Sequence, residues 1–182
     1  MLMKSISILF LLFTVAFSAQ TDSKIYDIIA AVSAERIKSD VKTLTEFGTR
    51  NTFSDTISNT QGIGAARRWI KSEFETISKA CDNCMEVFYQ KDFVTKKENI
   101  RVPHNAWIVN VVAVQKGTKY PNRYVIMSGD IDSRASDTMD FTTDAPGAND
   151  NASGMAGTIE AARVLSKYKF ESSIIYVGLS GE

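Results

Sequence analysis

The chain twice runs an apolar segment straight into a small residue, a glycine and a carboxylate. Val125 to Met127 lead into Ser128-Gly129-Asp130-Ile131-Asp132-Ser133, and Ile174 to Leu179 lead into Ser180-Gly181-Glu182. Between them lies Ala145-Pro146-Gly147-Ala148-Asn149-Asp150-Asn151-Ala152-Ser153-Gly154, a Gly/Pro loop carrying a third acid. Short apolar runs closed by turn residues read as strands. In open α/β sheets ligands gather at the carboxyl ends of such strands. Carboxylates there and in a connecting loop can converge on one point, as hard cations and hydrolytic chemistry require. The constellation favours a metal-dependent hydrolase.

The rest of the pattern supplies helices for such a sheet. Ile37, Val41, Leu44 and Phe47 recur at helical spacing and stop at Gly48. Residues 48–60 are rich in Thr, Ser, Asn and Asp and read as a loop. Ile63, Ala66, Trp69, Ile70, Phe74 and Ile77 mark a second helix, and Met155, Ile159, Ala162 and Leu165 a third. Strands are expected over Met85–Val94, Trp107–Val114, Arg123–Met127 (short and buried) and Ile174–Leu179. Helix, helix, three strands, helix, strand is an α/β order, with helices packed on a largely buried sheet.

At 182 residues with no internal repeat, one domain is expected. The net charge is zero and the basic residues are scattered, which gives no footprint for nucleic acid or a membrane surface. Residues 1–19 read as a signal peptide: Lys4 is a short positive start, Ile6 to Phe17 an apolar core too short to span a bilayer, and Ala16-Phe17-Ser18 a cleavage site. Residues 20–182 are then the exported portion, secreted or periplasmic. Cys81-Asp82-Asn83-Cys84 follows a helical pattern and lacks two further zinc ligands, so a small structural disulfide is the plain reading.

Each acid has a bland reading beside the functional one. Asp130 and Asp132 stand two apart, on the same side of a continuing strand, where two carboxylates repel unless a cation or proton lies between them. They also fit a solvated turn. Small residues flank Asp150 on both sides, which a plain loop does not need. Asp137, Asp140 and Asp144 read as a solvated lid; an EF-hand loop fails because Arg134 and Ala135 stand where a ligand and a glycine belong. His104, the only histidine, reads as structural. No Gly-x-Ser-x-Gly elbow is present for a serine triad.

Taken in order, Gly129-Asp130-Ile131-Asp132-Ser133, Pro146 to Gly154 and Ser180-Gly181-Glu182 resemble the twenty-eighth metallopeptidase family, the bacterial leucyl aminopeptidases with two co-catalytic zinc ions. Leu44-x-x-Phe47-x-x-Arg50 and the helix bearing Trp69-Ile70 are similar to that family's amino-terminal region, so the likeness runs from about residue 35 to Glu182. The resemblance implies a three-layer α/β sandwich, phosphorylase/hydrolase-like, with helices on a mixed, mostly parallel sheet that is incomplete at its C-terminus. It implies Asp150 as the carboxylate bridging two divalent metal ions, and Glu182 as the general base acting on water. Asp132 takes the place of the carboxylate that orients a ligand, and Asp130 that of the first metal-binding histidine. Peptides or proteins would be the substrates, cut at a free amino terminus.

Two departures qualify the likeness. An aspartate for the histidine keeps an oxygen donor but adds charge, which opens the site to manganese or magnesium beside zinc. The family's later Glu, Asp and His ligands would follow Glu182. The chain therefore reads as the amino-terminal part of a longer enzyme, inactive alone. The competing reading is a non-catalytic binding domain, a pseudo-enzyme that keeps the fold without the site. A carboxypeptidase or another amide-processing relative is a third.

Overall fold

The structure is a computed structural model, and it describes residues 22–97, 100–137 and 139–181. The expected signal peptide and Glu182 lie outside the described residues. The described residues divide into two units, one ending at Ala31 and the other beginning at Val32. In the first, Asp22 caps helix α1 (Ser23–Ala30) by accepting the Lys24 N–H. The sequence reading missed this helix, whose start signal is a single Asp beside the leader-like segment.

In the second unit, α2 (Ala34–Glu46) is capped by Ser33, whose hydroxyl accepts the Arg36 N–H. Helix α3 (Gly62–Ala80) buries Ile63, Ala66, Ile70, Phe74 and Ile77, the i, i+3, i+4 stripe visible in the sequence. Helix α4 (Ser153–Leu165) buries Met155, Ile159 and Ala162. These side chains close one core with Val111, Ala113, Ile174 and Tyr176 of the sheet. Each large aliphatic or aromatic chain so buried contributes roughly 1.5–3 kcal/mol.

The strands are β1 (Met85–Val94), β2 (Ala106–Gln115), β3 (Tyr120–Asp130) and β4 (Ser172–Leu179). Their order is β1-β2-β4-β3, so β4 lies inside the sheet and β3 at an edge of the described strands. The sheet is mixed, as expected. Only β3–β4 is parallel, while β1–β2 and β2–β4 are antiparallel, so the parallel majority expected of the sheet is not found among the described strands. Within the second unit, α2 and α3 pack on α4, α3 lies against β1 and β2, and α4 lies against β3 and β4. The segment expected as a short buried strand belongs to the longer β3, and Tyr124, Val125 and Ile126 are more than half exposed. Among the described strands β3 has β4 as its one partner, which leaves its other backbone edge unpaired there.

Cys81 and Cys84 are disulfide-bonded, as expected. Asp82 and Asn83, at φ 59° and 58°, make the left-handed turn between them, which Asp and Asn tolerate better than most residues.

A charged cluster joins the three helices. Glu160 of α4 accepts the Ser33 N–H at 2.6 Å and two bonds from Arg163. Arg36 pairs with Glu73 at 2.5 Å and lies 3.9 Å from buried Asp40. Burial pushes the Asp40 carboxyl up to about 6, against the pull of Arg36 and with the push of Glu73 and Glu160. A carboxyl raised above its unfolded value near 3.9 binds its proton more tightly when folded. Its stabilising contribution is complete below about pH 4 and is lost as pH rises through about 6. Asp40→Asn is therefore expected to match the parent in Tm near pH 4 and to exceed it by a few °C at pH 8. Thermal unfolding across that range checks the sign.

Candidate functional site

Strands β3 and β4 run parallel and finish in register, Asp130 opposite Leu179. The Ile131 N–H still donates to the Leu179 carbonyl at 2.7 Å, so both chains stay extended past the strand ends. This is the sheet edge where the sequence placed its acids.

The Asp150 loop is brought to that edge by backbone geometry that only small residues permit. Gly147 has φ +50°, and a Cβ there would fall 2.3 Å from the Asp150 carbonyl and 2.5 Å from the Ser133 side chain. A tight π-type turn, Ala148–Ala152, then enters α4, with Asp150 at φ −123° and a cis bond from Asp150 to Asn151. A Cβ on Gly129 would strike the backbone of Gly154 and Met155, so α4 starts directly against the end of β3. The Asn151 side chain closes the corner: its Nδ2 donates to Asp130 Oδ2 at 3.1 Å, and its Oδ1 accepts the Gly154 N–H at 3.0 Å. The residue after Asp150 is thus tied to Asp130. Asp150 itself is exposed.

Asp132 has different surroundings. It is buried, and its Oδ2 accepts the Thr52 hydroxyl at 2.5 Å and the Gly181 N–H at 2.9 Å. Gly181 also donates to Thr52 Oγ1 at 2.9 Å. The residue before Glu182 is therefore held against Asp132, although Glu182 is not described. Asp132 orients the β4 end and the loop around Thr52.

Arg50, wholly buried, knits the site's segments together. Its Nε donates to the Ile131 carbonyl, Nη1 to those of Leu44 and Pro146, and Nη2 to that of Gly147. Its N–H donates to Ser133 Oγ, which in turn donates to the Ala145 carbonyl. Burial lowers the Arg50 guanidinium to about 10, opposed by the Asp132 charge. Burial lowers Arg67 to about 10 as well, again opposed by Asp132 first and Tyr89 second. The sequence reading used Arg50 only as a family landmark, and it passed over Thr52 and Arg67. The signal for Arg50 was a lone arginine in a Thr/Asn loop, which does not by itself reveal burial.

The remaining acids behave as a solvated loop. Asp140 accepts from Thr142 and Thr143, and bonds from Thr143 and then Thr142 hold its carboxyl well below the usual range. Asp137 and Asp144 are exposed. His104 packs edge-on to Phe53 and Phe141 at 5.6 and 5.8 Å, a structural role as expected.

Among the described residues, no group of three or more His, Cys, Asp or Glu side chains is placed to hold a metal ion. Asp130 and Asp150 offer oxygen donors at one edge, whereas catalytic zinc takes three protein ligands. Asp132 is already engaged by Thr52 and Gly181. The described residues alone therefore do not fit a complete metal centre.

Fold and site define an α/β domain with acids at the carboxyl ends of its parallel strands. Solved structures share this fold. The LapA aminopeptidase of Legionella pneumophila superposes with TM-score 0.65 at 18% identity, over 90% of this chain and 38% of that one. A glutaminyl cyclase of Macrostomum lignano gives 0.66 at 16% identity, over 92% and 44%. Residues 110–182, which hold all three acidic motifs, match Peptidase family M28. A probable zinc metalloprotease of Leptosphaeria maculans is 40% identical over 88% of this chain and 37% of its own length. One of Pyricularia oryzae is 38% identical over 88% and 32%. The chain spans about a third of the length of the curated relatives it matches.

Proposed function

We propose that the whole protein is an exported metal-dependent aminopeptidase, with zinc as its metal, and that residues 20–182 form the amino-terminal portion of its catalytic domain. The observation that carries this is the joint anchoring of the two acidic turns. Asn151, beside Asp150, is bonded to Asp130, and Gly181, beside Glu182, is bonded to Asp132. In this reading Asp130 and Asp150 are metal ligands, with the remaining donors outside the described residues. Glu182 is the general base that takes the proton of the attacking water, and Asp132 is the carboxylate that positions the strand end carrying it. The bound metal would polarise the scissile carbonyl and lower the pKa of water. Zinc is supported by the names of the curated relatives, and aminopeptidase action by the LapA fold and the acidic motifs. Export is supported by the apolar leader and by the Cys81–Cys84 disulfide, a bond that persists in oxidising compartments. Substrates are peptides or proteins.

The test is hydrolysis of an aminoacyl anilide by the protein translated from its complete reading frame. Turnover is expected, abolished by a chelator and restored by zinc, manganese or magnesium. Absence of turnover with every added metal, together with no metal uptake by calorimetry, would favour a non-catalytic binding domain instead.

A further inference from the structure

Two buried arginines stand beside Asp132, and they are used differently. Arg50 donates to four carbonyls. Arg67 of α3 is 5% exposed, and its Nε and Nη2 are buried with no hydrogen-bond partner among the described residues. Two buried guanidinium nitrogens without acceptors forfeit their hydration, which makes them a costly feature unless something completes them. Arg67 lines a cavity of about 620 Å³, within the size range of small-ligand pockets.

The cavity's chemistry is one-sided. Arg67, Arg68 and Lys91 line it, and among the described residues no carboxylate does. Arg68 is already committed to the carbonyls of Thr56, Ile57 and Ser58, and Lys91 lies over the Tyr89 ring. Arg67 is the one of the three that is both buried and short of acceptors. Trp107 and Phe53 add apolar wall. Thr52 forms part of the same wall while donating its hydroxyl to Asp132, so the cavity adjoins the candidate active site.

We propose that this cavity is a carboxylate-binding pocket, with Arg67 as its anchor, that receives an acidic side chain of the substrate peptide. The substrate assignment rests on the peptidase reading; the pocket does not. An Arg fork matches the two oxygens of a carboxylate, and the cavity's cations raise the local concentration of anions.

The experiment uses the protein from its complete reading frame, with glutarate as probe and glutaramide as the neutral isostere, read by calorimetry. Glutarate is expected to bind, glutaramide at least tenfold more weakly. Arg67→Met should lose glutarate affinity by tenfold or more, with Arg67→Lys between the two, because one ammonium replaces a fork. Should Arg67→Met fail to fold, exposed Lys91→Gln serves, with an expected weakening of about threefold. Equal affinity for glutarate and glutaramide overturns the pocket, and so does unchanged binding in the variants. Glutarate excluded from the wild type, with Arg67→Met lowering Tm, would show a carboxylate of the chain's own filling the cavity and overturn it too. Peptides differing only by Glu for Gln should differ about tenfold in kcat/KM, with the difference gone in Arg67→Met. Glutarate binding without peptide turnover defeats the peptidase reading and keeps the pocket; turnover with no response to glutarate does the reverse.

Discussion

Arg50→Met is expected to lower the unfolding free energy by about 3–5 kcal/mol, the range for removing one partner from a buried charged network. The guanidinium reaches Ile131 at the end of β3, Leu44 in α2, and Pro146 and Gly147 in the Asp150 loop. Methionine fills much of the volume but donates nothing, so four carbonyls lose a donor at once and Asp132 loses a neighbouring cation. Against a total of roughly 5–15 kcal/mol the loss is a large fraction. With a urea m-value near 2 kcal/mol/M, the midpoint should fall by about 2 M. Arg50→Lys should recover less than half, because three donors on a flexible stem cannot cover acceptors on three segments. A shift within about 0.5 kcal/mol for the methionine variant would mean those carbonyls find other donors.

This network marks where the sequence could be read and where it could not. Periodicity placed β1 at its observed bounds and found α3 and α4 to within a few residues, because burial of one face dictates the spacing of apolar side chains. The small residues around Asp150 were legible for the same kind of local reason: a Cβ on Gly147 would strike the Asp150 carbonyl, and one on Gly154 the Asn151 side chain. Strand order was not legible. Sequence neighbours β2 and β3 are separated by β4, a choice set by packing between distant segments. Nor was the exposure of β3, since Val125 and Ile126 have the composition of a buried strand yet lie at an edge. Arg50 and Thr52 were missed as site residues because most of their partners lie far along the chain, and Arg67 because its burial is set by tertiary packing. Thr52 meets Asp132 eighty positions away, and no local pattern announces such a bond.

Asp150→Asn and Asp132→Asn should separate the two kinds of acid that the motifs placed together. Asp150 is exposed, in a turn whose shape is set by Gly147 and by Asn151, so an isosteric amide leaves the fold within about 0.5 kcal/mol of the parent. In the proposed reading its carboxylate is a metal ligand. In the protein from its complete reading frame, Asp150→Asn is expected to lower kcat/KM on an aminoacyl anilide by on the order of 10³, from the several kcal/mol a metal gives to the transition state. Bound metal measured on the purified variant should fall with it. Asp132 is buried and its charge acts on both Arg50 and Arg67, so Asp132→Asn removes a counter-charge and should cost about 2–3 kcal/mol of stability, with a milder 10–100-fold loss of rate. Urea unfolding, metal analysis and initial rates on both variants read the contrast. Full metal content and parental rate in Asp150→Asn would remove that residue from the ligand set. The fold argument would stand, because Gly147, Asn151 and Arg50 shape the loop whether or not Asp150 holds an ion.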